Sequence, residues 1–182
     1  MFATIRTVAL SAAAAAAMLV PAIATAATDG RLGTTSSTGE VAISARVLAL
    51  VQLSDLDDID LGAFSGSDLQ AADELCVYSN AGQYRVTATG NGGNGGKEFA
   101  LAGKNLKQDL PYAITWSHGG AATRLTSGTT VTVKTSAVTG ADCTFGGGKN
   151  NAGIQVDISA ADAQSASQDT YAGVLNITVA PN

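Results

Sequence analysis

From Val41 onward the side chains alternate with a period of two. Val41, Ile43, Ala45, Val47, Ala49 and Val51 fall on one face, and Ala42, Ser44, Arg46, Leu48 and Leu50 on the other. A β-strand puts residues i and i+2 on the same side, whereas a helix would scatter them around its axis. A strand must also find partners for its backbone N–H and C=O groups, so this segment commits the chain to a sheet. The second face is polar at first and apolar later, so burial is expected to rise from Glu40 toward Leu53.

The rest of the chain repeats the signal in shorter form. Residues 58–62, 74–79, 84–89, 98–102, 112–117, 129–134, 153–158 and 171–180 are strand-like runs bounded by Gly, Asn, Asp or Ser. In the last of them Tyr171, Gly173, Leu175, Ile177 and Val179 share one face, so Tyr171, Leu175, Ile177 and Val179 are expected to face the core. Residues 159–166 interrupt the series: Ser159 can cap a helix and Asp162 stands at the capping-box position, which predicts one or two helical turns at a crossover. Composition agrees, since 21 of the 182 residues are Gly and only 5% are aromatic, a mix suited to turns and thin strands. Short strands at this spacing predict an all-β sandwich with one short helix.

The first 26 residues read as an address. Arg6 gives a positive start, residues 8–20 an Ala-rich apolar stretch, and Ala24-Thr25-Ala26 a small-x-small cleavage site, so a secretory signal cut after Ala26 is expected. The apolar stretch is broken by Ser11 and Pro21 and falls short of the roughly 20 residues that span a bilayer, and no later stretch is long or apolar enough. The mature chain is therefore expected outside the inner membrane. Oxidising compartments let cysteine pairs close, and Cys76 and Cys143 are the two present, so one disulfide is expected between them. Residues 27–39 are small, polar and without period and read as a flexible leader, which makes 40–182 the folded domain.

Candidate chemistry is sparse. The formal net charge of −5 argues against a basic nucleic-acid groove. Gly90-Asn91-Gly92-Gly93-Asn94-Gly95-Gly96-Lys97 looks like a phosphate cradle, but Asn91 stands where a P-loop needs its first Gly and Glu98 where it needs Ser or Thr. Gly148-Lys149 fails in the same way, and both read as hairpin loops. Asp55, Asp57, Asp58 and Asp60 put four carboxylates in six residues, which makes them the Ca²⁺ candidate of this chain. No single strand face collects them, so the expectation is a solvated turn with no metal. His118 lies before Gly119 and Gly120 with no GxSxG elbow to partner it, and reads as an exposed turn residue. Asn176-Ile177-Thr178 matches a glycosylation sequon but lies in a strand and reads as sheet surface. No catalytic residue and no cofactor are expected.

Three features together carry a resemblance: the run Gly39-Glu40-Val41-Ala42-Ile43-Ser44-Ala45-Arg46-Val47 after a polar leader, the cysteine pair, and the run Asp169-Thr170-Tyr171-Ala172-Gly173-Val174-Leu175-Asn176-Ile177-Thr178-Val179. The chain resembles pilin subunits of the chaperone–usher pathway, in particular the archaic branch with spore coat U domains and the related colonisation-factor fimbriae. The resemblance implies an immunoglobulin-like, pilin-type sandwich that lacks one strand and is completed by the N-terminal strand of another copy, a form of β-augmentation. Val41, Ile43, Ala45 and Val47 match the donor positions, within a donor-strand candidate at residues 40–51. It implies a non-catalytic fimbrial subunit at the cell surface that self-associates into a polymer, with a periplasmic chaperone and an outer-membrane usher as partners. The rival reading is a monomeric secreted sandwich that binds a glycan or protein ligand through loops such as 90–96 and 118–123.

Overall fold

The computed structural model describes residues 27–93, 98–134 and 150–182. The expected signal segment, Cys143, Lys97, Gly148-Lys149 and part of the 90–96 loop lie outside the described residues. The chain divides into two units, Met1–Arg46 and Val47–Asn182.

In the first unit the described residues are all exposed. Thr28 and Glu40 form an isolated antiparallel bridge, each donating its N–H to the other's carbonyl at 2.9 Å. The second unit holds eleven strands among the described residues: β1 (Val51–Ser54), β2 (Leu69–Ser79), β3 (Gln83–Gly90), β4 (Ala100–Gly103), β5 (Asp109–Pro111), β6 (Ala113–His118), β7 (Ala121–Leu125), β8 (Thr130–Lys134), β9 (Ala152–Ile158), β10 (Tyr171–Ala172) and β11 (Leu175–Pro181). They form a five-stranded sheet in the order β1-β2-β9-β6-β7 and two three-stranded sheets, β11-β3-β8 and β10-β4-β5. Every pairing is antiparallel. The all-β reading is borne out, and the expected short helix follows β9.

Alternation explains the core. Leu75 and Val77 of β2, Ile154 and Val156 of β9, and Ile114 and Trp116 of β6 meet Tyr84, Val86 and Ala88 of β3 in one buried cluster. Val131 and Val133 of β8 and Leu175, Ile177 and Val179 of β11 pack against it, each only partly buried. The helix α1 (Ala160–Ser165) starts as expected, with the Asp162 N–H donating to Ser159 Oγ at 3.1 Å, while the Ala160 N–H donates to Asp68 Oδ1 at 2.7 Å.

Four departures from the expected strands have physical causes. The ladder expected across residues 41–51 begins only at Val51: residues 41–50 belong to no helix or strand, since an alternating pattern makes a strand only where a neighbouring edge pairs with it. Residues 58–62 form no strand. A carboxylate of this segment bonds to backbone in place of a ladder, with Gly62 N–H donating to Asp60 Oδ1 at 2.9 Å, and just before it Asp57 N–H donates to the Asp73 carboxylate at 3.0 Å. The single strand expected over 171–180 is two, β10 on β4 and β11 on β3, and the chain changes sheets at Gly173, where a Cβ would stand 3.1 Å from Leu101 Cδ2. The strands β5 and β7 were not anticipated: β5 is three residues ending in Pro111 at a sheet edge, and β7 has one buried residue, Leu125, so neither alternates visibly.

One loop is pinned by a single carboxylate. Asp169 accepts from the backbone N–H groups of Leu106, Asn105 and Thr170, each at 2.8 Å, and from Asn105 Nδ2 at 2.7 Å. These bonds, led by that from Leu106, favour the ionised form and lower its pKa from 3.8 to about 2. A depressed carboxylate stabilises the fold fully above its unfolded pKa and loses that contribution as pH falls through its folded value. The Asn105 and Leu106 amide resonances are therefore expected to titrate with a midpoint near pH 2, and a midpoint at 3.8 would contradict the pinning.

Candidate strand-exchange site

β1 and β11 each stand at the edge of their own sheet, and they pack against one another. Val51 and Leu53 from β1 and Leu175, Ile177 and Val179 from β11 touch the core cluster while remaining partly exposed. On the opposite side the edge strands β7 and β8 are consecutive in the chain and are joined by residues 126–129, whose Gly128 N–H donates to the Ala88 carbonyl at 2.8 Å. β1 and β11 have no such joining segment. Among the described residues, the outer edge of β11 has no strand paired to it and stands beside an apolar floor, the geometry that accepts an added strand.

The segment that precedes this edge carries the matching pattern. Val41, Ile43 and Val47 are 76%, 93% and 84% exposed, and Ala45 is exposed as well. Residues 41–50 belong to no helix or strand. Where the chain enters β1, Asn80 on the β2–β3 turn takes hold of it. Leu50 N–H donates to Asn80 Oδ1 at 2.7 Å, Asn80 Nδ2 donates to the Leu48 carbonyl at 2.9 Å, and Asn80 N–H donates to the Leu50 carbonyl at 3.3 Å. Asn151 works similarly just before β9, bonding both the N–H and the carbonyl of Val77 at 2.9 Å. Neither asparagine stands out in the sequence, where each reads only as a turn residue.

The other sequence candidates are dispersed. Cys76 is fully buried in β2, and no free cysteine occurs among the described residues. Asp55 Oδ2 accepts from Asn150 Nδ2 at 2.7 Å, and no group of three or more metal-binding side chains occurs among the described residues. Tyr171 does not join Leu175, Ile177 and Val179: it sits in β10 and donates its hydroxyl to the Ser167 carbonyl at 2.9 Å. Asn176 and Thr178 are exposed on the outer face of β11.

His118 is not an exposed turn residue. Gly119 and Gly120, with φ of 58° and 83°, make the whole two-residue turn, so His118 is the last residue of β6 and is half-buried. Its Nδ1 lies 3.3 Å from the Tyr84 hydroxyl, which accepts from Trp116 Nε1 at 3.0 Å. An indole N–H can only donate, so the phenol's own proton is free for His118 Nδ1. Burial pushes the Tyr84 pKa up to about 12, opposed by the Trp116 bond, and burial lowers that of His118 below 6.5. A His held below its unfolded value stabilises the fold fully above pH 6.5 and loses that contribution as pH falls. This trio joins β3 to β6 and thus ties the β11-β3-β8 sheet to the five-stranded sheet. The remaining candidate loop is also occupied: Gly90 and Gly93 are buried, and Asn91 exchanges hydrogen bonds with Val174.

No protein-family model matches the chain, and no curated protein is significantly similar to it. Solved structures are similar in fold. A chaperone–tip adhesin complex of CFA/I fimbriae biogenesis matches at TM-score 0.52 and 16% identity over 74% of this chain. The adhesin CfaE, the adhesive subunit of CFA/I fimbria of enterotoxigenic Escherichia coli, matches at TM-score 0.51 and 15% identity over 72% of this chain. The match spans about two fifths of each of those chains, 41% and 42%. With its antiparallel sheets, the second unit has the all-β, pilin-type sandwich fold that these fimbrial adhesins share.

Proposed function

We propose that the chain is a non-catalytic structural subunit of a surface fimbria, joined copy to copy by strand exchange. Residues 41–47 of one copy enter beside β11 of the next, with Val41, Ile43, Ala45 and Val47 pointing to the floor between β1 and β11. The observation that carries this reading is the pairing of opposites within one sequence. Among the described residues, an alternating apolar segment outside any strand occurs in the same chain as an apolar, half-exposed floor beside a strand at the end of its sheet. The lengths also agree, since residues 41–47 number seven and β11 has 7 residues.

Area bookkeeping supports a durable join. Burying three aliphatic donors contributes about 1.5–3 kcal/mol each, to which the ladder adds its hydrogen bonds. Ordering the segment and the loss of free tumbling offset part of that gain. A join held by backbone bonds and interdigitated side chains releases slowly unless heated.

The same reading includes export through cleavage after Ala26, closure by a Cys76–Cys143 disulfide, and delivery by a chaperone and an usher. The likeness to a chaperone–adhesin complex supports the chaperone. Mass measurement of the protein from periplasm and cell surface, on non-reducing gels with and without boiling, tests it. A ladder at integer multiples of one subunit that collapses on boiling is expected. A single monomer band from both fractions under all conditions would overturn the reading.

A further inference from the structure

A strand that fits a groove on every copy also fits the groove of its own copy, and polymer growth requires that this be prevented. The strand registers say how such self-insertion would run. β1 starts at the 80–82 turn, with Val51 opposite Ser79, and runs away from it. β11 runs toward the same turn and ends with Pro181 opposite Tyr84. Residues 41–47 immediately precede this entrance. Folded into their own groove, they would have to run toward the turn, parallel to β11, and then reverse within residues 48–50 to enter β1. A strand from a second copy has no such connection and is free to run antiparallel, the slightly more stable pairing.

A reversal over three residues is sterically feasible, since hairpin loops of two to five residues are common. What opposes it here is Asn80. Its side-chain amide holds Leu50 N–H at 2.7 Å and the Leu48 carbonyl at 2.9 Å, and its backbone N–H meets the Leu50 carbonyl at 3.3 Å. Together these bonds continue the β1–β2 ladder past Val51 and keep residues 48–50 in line with β1. They occupy the groups that a reversal would have to release.

We propose that Asn80 is a clasp that holds residues 48–50 extended, so that residues 41–47 cannot fold back into their own groove and remain available to a second copy. The proposal rests on the strand-exchange reading, and its test separates the two. In full-length Asn80→Ala the boil-sensitive ladder is expected to fall about tenfold, the effect of losing two side-chain hydrogen bonds. In its place a monomer is expected that melts above the monomer of Ile43→Asp, because its groove is filled from within. Adding Ile43→Asp to Asn80→Ala is expected to return the melting temperature to that of Ile43→Asp alone. Asn80→Asp keeps the acceptor for Leu50 N–H but loses the donor to Leu48, and is expected to lose less of the ladder than Asn80→Ala. A wild-type ladder in Asn80→Ala would overturn the clasp, as would loss of the ladder with a monomer no more heat-resistant than Ile43→Asp. Absence of the ladder from the wild type would instead overturn strand exchange itself, and the clasp with it.

Discussion

Ile43→Asp is expected to abolish the boil-sensitive ladder while leaving the melting temperature of the monomer unchanged. Ile43 is 93% exposed, so within one copy the substitution removes no packing. In the proposed join the same side chain is buried at the centre of the alternating run, between Val41 and Val47. An aspartate there forfeits about 1.5–3 kcal/mol of apolar burial. It also places an unpaired carboxylate in an apolar groove, at a further cost of several kcal/mol. Together these weaken each join by about three orders of magnitude or more. Ser44→Asp, one residue along and on the opposite face, is expected to keep the ladder, because that face meets solvent. Size-exclusion chromatography and unboiled gels of both variants decide the matter. A ladder in Ile43→Asp, or equal loss in both variants, would show that residues 41–47 do not enter a groove by alternate side chains.

Much of the sandwich was legible because alternation reports burial directly. Tyr84, Val86 and Ala88 alternate with Arg85 and Thr87, and the structure buries the first set and leaves the second outside. The same signal could not say which strand would be paired. The period at residues 41–51 is the strongest in the chain, yet among the described residues the strand itself starts only at Val51, since pairing depends on a neighbouring edge and not on the strand's own residues. At residues 58–62 alternation was misleading, because aspartates offer the backbone local bonds that compete with a ladder. Of the candidate site, the donor positions and Leu175, Ile177 and Val179 were readable as apolar faces. Val51 and Leu53 as the opposite wall were not, since nothing local says that β1 and β11 stand at facing edges. Asn80 was hidden for a related reason: its partners lie 30 and 32 residues away in sequence.

Trp116→Ala is expected to cost the fold about 3–5 kcal/mol, a large share of the roughly 5–15 kcal/mol that holds a domain of this kind together. Trp116 is 1% exposed and is among the largest fully buried side chains. Its removal empties the centre of the contact between β6 and β3, where the Tyr84 ring stands edge-on at 6.4 Å. It also takes away the indole N–H that the Tyr84 hydroxyl accepts. Tyr84→Phe separates these two effects. It keeps the ring and its packing but leaves Trp116 Nε1 buried without its acceptor, for which about 1–3 kcal/mol is expected. Urea denaturation of the three proteins measures both numbers, and the order wild type, Tyr84→Phe, Trp116→Ala is the required result. If Tyr84→Phe proved as damaging as Trp116→Ala, the polar chain through His118 would outweigh packing in joining the sheets. If Trp116→Ala cost less than about 1.5 kcal/mol, the two sheets would not be held by this core, since a cavity of that size costs more wherever the surroundings stay in place.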